Sequence, residues 1–325
     1  MSMESCRKME TWFSTSTVRA APRKVLSECD LAKGQLFPVG LLPFLSHPYA
    51  ADLSQQQIDG VLARKLMSYL DFTDHLEHHF INHVAYMLGN GSFDFGLSSK
   101  ARRDAYKIYV DEAYHSLCSF DLKEQVQAVT GITHHEPHPP LFMRKFEQLC
   151  GDAPAEWRDL IKLFFVAVSE TLISGSLAKI PRDRRVIEAV RSVVADHCQD
   201  EAVHHVYFSK LFTHIWPTLT YDQQCYIGAL LPQLIYCFLQ PDKALAEEWL
   251  MAVGVGEGDA RIMVGNSYKE ATMAKNMRDD AAATLRLFRK NGLFENKEIY
   301  MKFVEFNLLE GAHHSARPCT VYSGA

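Results

Sequence analysis

The chain has 325 residues, of which 47% are hydrophobic and 22% are charged, and its formal net charge is −5. This length suffices for one large domain or for two. The acidic balance, with no long basic run and no aromatic-rich basic patch, excludes the usual features of a nucleic-acid-binding protein.

Hydrophobic periodicity predicts a nearly all-helical chain. We expect residues 1–40 to form an irregular N-terminal segment, residues 41–310 a single all-helical domain, and residues 311–325 a C-terminal tail. Strand signals are weak, so the expected fold class is all-α, a helical bundle with additional helices. The predicted helices cover about 54–88, 100–122, 152–177, 181–213, 219–239, 243–253, 258–265, 268–291 and 295–306.

The eight cysteines are scattered and contain no C-x-x-C pair, which is typical of reduced thiols in a cytosol. The best membrane-span candidate, residues 226–240, is short and is interrupted by Pro232. Residues 1–24 lack the apolar core of a secretory signal, although their polar, somewhat basic character leaves an organellar transit peptide open. We therefore expect a cytoplasmic protein with no membrane partner.

The most informative motif is H-x3-E-x2-H, formed by His197, Glu201 and His204. Steps of four and three residues place all three side chains on one stripe of a helix. Because it is costly to bury unpaired imidazole and carboxylate groups, this pattern favours a bound metal, although ion-pair networks on helix surfaces use the same spacing. The other members of the stripe are apolar: Val190, Val193, Phe208 and Leu211.

A second motif, E-x-x-H, is formed by Glu112 and His115 on one face of another predicted helix. Two further predicted helices each carry one glutamate on an apolar seam, Glu77 and Glu170. Each of these signals alone also occurs on solvated helix faces. Together, however, four successive helices carry glutamate, E-x-x-H, glutamate and E-x-x-H in that order. This order is the ligand pattern of carboxylate-bridged di-iron and di-manganese bundles. The order therefore predicts a centre with two iron ions, or with manganese as the alternative.

Three more residues surround this pattern. His197 lies one turn before Glu201 and is extra to the basic set, so it could be a third histidine ligand. Asp111 and Asp200 each precede a ligand glutamate. They could accept hydrogen bonds from imidazole N–H groups, or they could be helix-surface charges.

The motifs VDEAYH at residues 110–115, SET at 169–171 and HCQDEAVH at 197–204 together resemble the di-iron N-oxygenases typified by p-aminobenzoate N-oxygenase. The resemblance covers roughly residues 40–290 and is specific at these motifs. It implies a ferritin-like fold in which catalysis belongs to the di-metal centre itself. It also implies that Fe2+/Fe3+ chemistry activates O2 and oxidises a substrate amine to a hydroxylamine, nitroso or nitro product. The implied ligands are Glu77, Glu112, His115, Glu170, His197, Glu201 and His204.

The resemblance also bears on the substrate and the partners. Phe72 stands where related enzymes place an arginine for a substrate carboxylate, whereas Tyr69 is retained, so these two residues mark the expected substrate pocket. A neutral arylamine, or an amino acid bound to a carrier protein, therefore fits at least as well as a free aryl carboxylate. O2 and an external electron donor are expected as further partners, and the resemblance suggests a homodimer.

Other functions fit parts of the pattern. The same centre could oxidise carbon, as in a hydroxylase or desaturase, and a metal-storage or peroxide-scavenging bundle would use similar ligands. The chain is much longer than a minimal four-helix bundle, and the additional helices suit a substrate pocket better than storage. We therefore expect an O2-dependent amine N-oxygenase of a biosynthetic pathway.

Overall fold

The computed structural model describes residues 7–133 and 138–310, apart from the side chains of residues 7, 8 and 174–176. Within these ranges the secondary structure is helical, and the pairing of Gln35 with Val186 is an isolated bridge rather than a strand. The predicted all-α class is confirmed. The tail 311–325, with His313 and His314, and the loop histidines His134 and His135 lie outside the described residues.

The α-helices are numbered in chain order, and shorter turns lie between them. None of the described helices combines the length and the apolar character that a membrane crossing requires. The cysteines of the described ranges are free thiols. The helices are α1 (Trp12–Thr15), α2 (Thr17–Ala20), α3 (Gln55–Leu76), α4 (Asn82–Asn90), α5 (Ser99–Thr130), α6 (Leu141–Gly151), α7 (Arg158–Leu177), α8 (Lys179–Arg182), α9 (Glu188–Ile215), α10 (Tyr221–Leu239), α11 (Lys243–Met251), α12 (Glu257–Ser267), α13 (Glu270–Asp280), α14 (Ala282–Lys290) and α15 (Lys297–Glu305).

Four rods form the core of the bundle. The first consists of α3 and α4, joined without a break by a π-helical turn at Glu77–Ile81. This rod packs against α5, α5 packs against α9, α9 packs against α7, and α7 returns to the first rod. The ring is closed, so side chains on the inner stripe of each rod converge on one shared interior. Helix α10 covers α7 from outside, and α15 packs on α10.

Local chemistry sets the ends of the rods. The Ser54 and Ser98 hydroxyls accept backbone N–H groups in the first turns of α3 and α5, which is the usual way to satisfy the exposed donors at a helix start. Gly91 and Gly131 end α4 and α5 with positive φ angles of 83° and 67°. Glycine adopts this left-handed conformation without a steric penalty, so the chain can leave the helix there.

Several predicted boundaries are wrong. Helix α5 continues to Thr130 because Val126, on the far turn, is fully buried. Helix α6 was not predicted at all; it is fixed by Phe142 and Phe146, one turn apart and both buried. The predicted helix over 268–291 is two helices, α13 and α14, separated at Ala281.

The predicted start of the fourth rod near residue 181 is also wrong. Pro181 lies in the four-residue helix α8, and α9 begins only at Glu188. The segment between them turns at Arg184 and Arg185 and then pairs with Gln35, which donates its N–H to the carbonyl of Arg185 (2.8 Å) and accepts the N–H of Ile187 (3.0 Å). Residues 7–30 are likewise more ordered than the expected irregular segment, since they contain α1, α2 and two 3-10 turns.

Candidate metal centre

Each rod contributes to one buried cluster. Glu77 begins the π-helical turn of the first rod, and such turns are frequent at functional sites. The other donors come from α5, α7 and α9. The exposed fraction of each side chain lies between 0% and 7%, so the cluster is closed to bulk water. The structure thus brings together all seven residues of the predicted ligand set: Glu77, Glu112, His115, Glu170, His197, Glu201 and His204.

The seven residues form two groups of four that share one member. Glu201 belongs to both groups, with Glu77, His115 and His197 on one side. On the other side Glu201 lies with Glu112, Glu170 and His204. Within each group, one donor atom of every residue lies within 4.8 Å of the others. Two adjacent ions with a common carboxylate would fit this arrangement, and the oxygen and imidazole donors suit iron or manganese.

The imidazoles turn one nitrogen towards these carboxylates. Nδ1 of His115 lies 3.2 Å from Glu112 Oε2, and Nδ1 of His204 lies 2.8 Å from Glu112 Oε1. His197 uses its other nitrogen, with Nε2 3.0 Å from Glu77 Oε1 and 3.2 Å from Glu201 Oε1. These three nitrogens therefore face the common interior and are placed to donate a lone pair to a metal.

The outer nitrogens of two imidazoles meet aspartates in a crosswise arrangement. Nε2 of His115, on α5, lies 3.2 Å from the carboxylate of Asp200, on α9. Nε2 of His204, on α9, lies 3.2 Å from the carboxylate of Asp111, on α5. Asp111 and Asp200 are buried, at 1% and 4% exposure, so neither is a helix-surface charge. In the neutral imidazole, an N–H donated to each aspartate would leave the inner Nδ1 free of a proton, as metal binding requires.

Glu170 is the clearest sign that the cluster needs a cation. Both of its carboxylate oxygens are buried, and in the described ranges neither has a hydrogen-bond partner. Burial raises the pKa of Glu170 well above its usual value, and the charges of Glu201 and Glu112 raise it further. Burial also raises the pKa of Glu77 to about 7. A bound divalent cation would supply the missing positive charge and coordinate these oxygens.

The histidines beside Glu77 do not join the cluster. His78 and His79 are exposed, and their rings contact each other at 5.1 Å between centroids. The solvated face that they form is separate from the buried side of the rod. Glu77 therefore belongs to the interior although His78 and His79 do not.

Sequence reasoning missed the outer partners of the two aspartates. Trp12 and Ser16 donate hydrogen bonds to Asp111, and Thr17 donates to Asp200. All three residues belong to the segment that was expected to be irregular. No motif or helical period marks them, and only the folded chain, in which Ser16 and Thr17 are buried and Trp12 is half-buried, identifies them.

The fold and this cluster define a helical bundle with a buried carboxylate–histidine cluster that fits a metal site. The model of the p-aminobenzoate N-oxygenase AurF family matches residues 28–292, so the chain belongs to that family. A 4-aminobenzoate N-oxygenase of Streptomyces thioluteus is 23% identical over 278 residues, which cover 82% of this chain and 82% of the relative. The chain is therefore an N-oxygenase, and the predicted family, enzyme class and amine N-oxygenation are confirmed.

The sharing of Glu201 predicts unequal effects of removing single glutamates. After anaerobic loading with Fe(II) and desalting, we expect about two ions per wild-type chain. Glu77→Ala and Glu170→Ala should each lose about one ion, whereas Glu201→Ala should lose both. Elemental analysis measures the ratio. Glu124→Ala, at an exposed position on α5, is the control and should keep the wild-type content. Full metal content in Glu201→Ala would contradict the ligand assignment.

The unpaired state of Glu170 predicts an effect on stability. In the metal-free protein, Glu170→Leu should raise the midpoint of thermal unfolding by a few degrees, about 1 kcal/mol, because a buried carboxylate without a partner is removed. Asp104→Leu is the matched control: Asp104 is equally buried but lies 3.0 Å from Lys107 Nζ, so its loss should lower the midpoint. A fall of similar size in both variants, measured by calorimetry, would show that Glu170 already has a stabilising partner.

Proposed function

We propose that the protein is a non-haem di-iron N-oxygenase that oxidises the amine of an aromatic substrate in a biosynthetic pathway. The observation that carries this proposal is the pair of buried donor groups joined by Glu201, within the residues that match the family. Manganese has the same donor preference and is the alternative metal. Two iron ions held by these seven residues would supply the redox chemistry that activates O2.

In this proposal the protein itself holds the metal ions, orients the substrate and encloses the site. The four glutamates balance the charge of two divalent ions, and the three imidazoles complete the donor set without adding charge. Burial excludes water that would otherwise compete for the reacting groups. Since transfer of one oxygen atom from O2 to an amine leaves the other to be reduced to water, the reaction also consumes two electrons and two protons. We assign the electrons to an external donor.

A cavity of about 700 Å³ provides the substrate site in this proposal. Tyr69 and Thr73 on α3 and Ile173 on α7 line it, and Thr73 and Ile173 lie within about one helical turn of Glu77 and Glu170. The Tyr69 hydroxyl is buried within reach of the Thr73 side chain. We assign these two side chains to orienting a polar group of the substrate.

One wall of this cavity is aromatic. The ring of Phe72 lies 4.6 Å from that of Phe142 and 5.6 Å from that of Phe238, between centroids. Such a wall suits a substrate ring and offers no charge to a carboxylate on that ring. An arylamine also meets the chemical need for a free lone pair, because it is unprotonated at neutral pH. We therefore propose a neutral or distally charged arylamine rather than p-aminobenzoate itself.

Charged side chains of both signs line the cavity: Lys65, Lys179, Asp242, Asp279 and Asp280. Lys65 lines it, with Nζ 5.5 Å from the ring centroids of Phe37 and Trp249. Lys65 precedes Glu77 by three turns, about 18 Å along the rod. An acidic group bound near Lys65 would therefore belong to a substrate longer than one ring. An elongated amine, free or delivered on a carrier protein, fits this length and volume.

This substrate assignment predicts the outcome of a comparison between amines. With Fe(II), O2 and a chemical reductant, p-aminobenzamide should be oxidised faster than p-aminobenzoate, because only the second brings a charge to the aromatic wall. Oxygen uptake and mass spectrometry of hydroxylamine and nitroso products provide the measurement. Oxygen uptake without N-oxygenated product from any arylamine would contradict the proposal, and ring-hydroxylated product would favour the carbon hydroxylase alternative.

Phe72 itself can be tested by placing a charge in the wall. Phe72→Arg should raise kcat/KM for p-aminobenzoate about tenfold relative to p-aminobenzamide, because a guanidinium can pair with the carboxylate. The control is Phe72→Leu, which stays apolar and should show no such change of preference. Both variants should keep the wild-type iron content. Equal effects of Arg and Leu on the two substrates would place the substrate ring elsewhere.

A further inference from the structure

The N-terminal strap, residues 7–26, crosses α5 and α9 on the outer side of the metal centre. It precedes the family-matched residues 28–292. The strap is fastened along its length rather than at its ends alone. The fastening contacts are Glu10 with Lys100 (2.7 Å), the Met9 carbonyl with Lys107 (2.6 Å), the Thr15 carbonyl with Gln199 (2.8 Å), Arg23 with Asp121 (2.6 Å) and Lys24 with Asp196 (3.1 Å).

The strap supplies the outer donors of Asp111. The indole N–H of Trp12 donates to both carboxylate oxygens, at 2.9 and 2.7 Å, and the Ser16 hydroxyl donates to Oδ1 at 2.5 Å. The same carboxylate faces Nε2 of His204 at 3.2 Å. The Trp12 indole and the Ser16 hydroxyl of the strap, together with the His204 imidazole of α9, therefore fix the plane of this carboxylate.

Asp200 has an equivalent set of donors. The Thr17 hydroxyl donates to Oδ2, and the Thr17 backbone N–H approaches the two carboxylate oxygens at 3.3 and 3.4 Å. The carboxylate also faces Nε2 of His115 at 3.2 Å. Consecutive strap residues, Ser16 and Thr17, thus hold the two aspartates that contact histidines on opposite helices.

We propose that the strap is a working part of the metal centre, in which Trp12, Ser16 and Thr17 are positioning residues. They hold Asp111 and Asp200, and through these carboxylates they orient the imidazoles of His204 and His115. This inference rests on the proposed role of those two histidines as ligands. Partners of metal-binding histidines set the ring orientation and the donor strength of the nitrogen that faces the metal.

The burial pattern of the strap distinguishes this role from simple coverage of the core. Ser16 and Thr17 are 2% and 4% exposed, whereas the neighbouring Phe13 is 62% exposed. A segment that only covered apolar surface would bury the phenylalanine and expose the hydroxyls. The strap buries Met9 and Leu26 at its ends, at 0% and 5% exposure, but between them it buries hydrogen-bond donors at the two carboxylates.

A cavity of about 250 Å³ lies beneath the strap. Thr17, Arg23 and Lys24 line one side of it, and His115 and His197 line the other. The strap therefore also separates two candidate ligands from bulk solvent. Its displacement would expose the outer edges of these imidazoles to water.

The test uses the full-length protein loaded with Co(II), so that it does not depend on turnover. Thr17→Val removes the hydroxyl held by Asp200, and Trp12→Phe removes the indole donor to Asp111. Each should accelerate transfer of Co(II) to excess chelator, by up to about tenfold. Thr15→Val and Ser14→Ala are matched controls, because those hydroxyls bond only to the Thr11 carbonyl or side chain on the exposed side of the strap. The controls should release Co(II) at the wild-type rate, and Thr17→Ser should restore it.

A spectroscopic readout separates positioning from general loosening. In the Co(II) protein, the exchangeable imidazole N–H protons give shifted proton resonances. Thr17→Val should displace the resonance of His115, and Trp12→Phe that of His204, with the other signal unchanged in each case. Wild-type resonances and release rates in both variants would overturn the inference while leaving the metal centre intact. Failure of the wild-type protein to bind Co(II) would overturn the metal centre and this inference together.

Discussion

The mutual repulsion of four buried carboxylates is the constraint on which the rest of the structure depends. Glu77, Glu112, Glu170 and Glu201 are each 0% exposed and share one interior. In the metal-free chain the carboxylates raise the pKa of all three imidazoles, so that protonated rings offset part of this charge, and Glu170 has no hydrogen-bond partner in the described ranges. Such a cluster needs compensation, by protonation in the metal-free chain or by bound cations. The closed ring of rods holds the carboxylates together at a cost to the stability of the metal-free chain.

The crosswise aspartates extend this constraint from side chains to helices. Helix α5 carries His115 and the aspartate that meets His204, while α9 carries His204 and the aspartate that meets His115. A slip of α5 against α9 by one turn, about 5.4 Å, would break both contacts at once. The pair of helices is thus locked in register by the same groups that orient the donors. The strap adds a third element that holds these two helices together, and the cavity that we propose for the substrate is lined by residues of α3 and α7.

The sequence was sufficient to predict the site residues that recur at helical spacing. Glu77, Glu112, His197 and the other candidate ligands share stripes with apolar residues, so their inward direction could be predicted before any contact was known. The pairing of Asp111 with His204 could not, because it depends on the register of two helices far apart in sequence. Trp12 and Thr17 carry no periodic signal, since they act from short turns. Helix α6 was missed because its two phenylalanines define only one turn of pattern.

We propose that seven side chains from four rods hold two metal ions about one shared carboxylate. Anomalous diffraction at the iron edge, from crystals of the Fe(II)-loaded protein, tests it directly. We predict two peaks, one bounded by Glu77, His115 and His197, the other by Glu112, Glu170 and His204, with Glu201 between them. No peak in this interior, or a single iron bound elsewhere, would contradict the account.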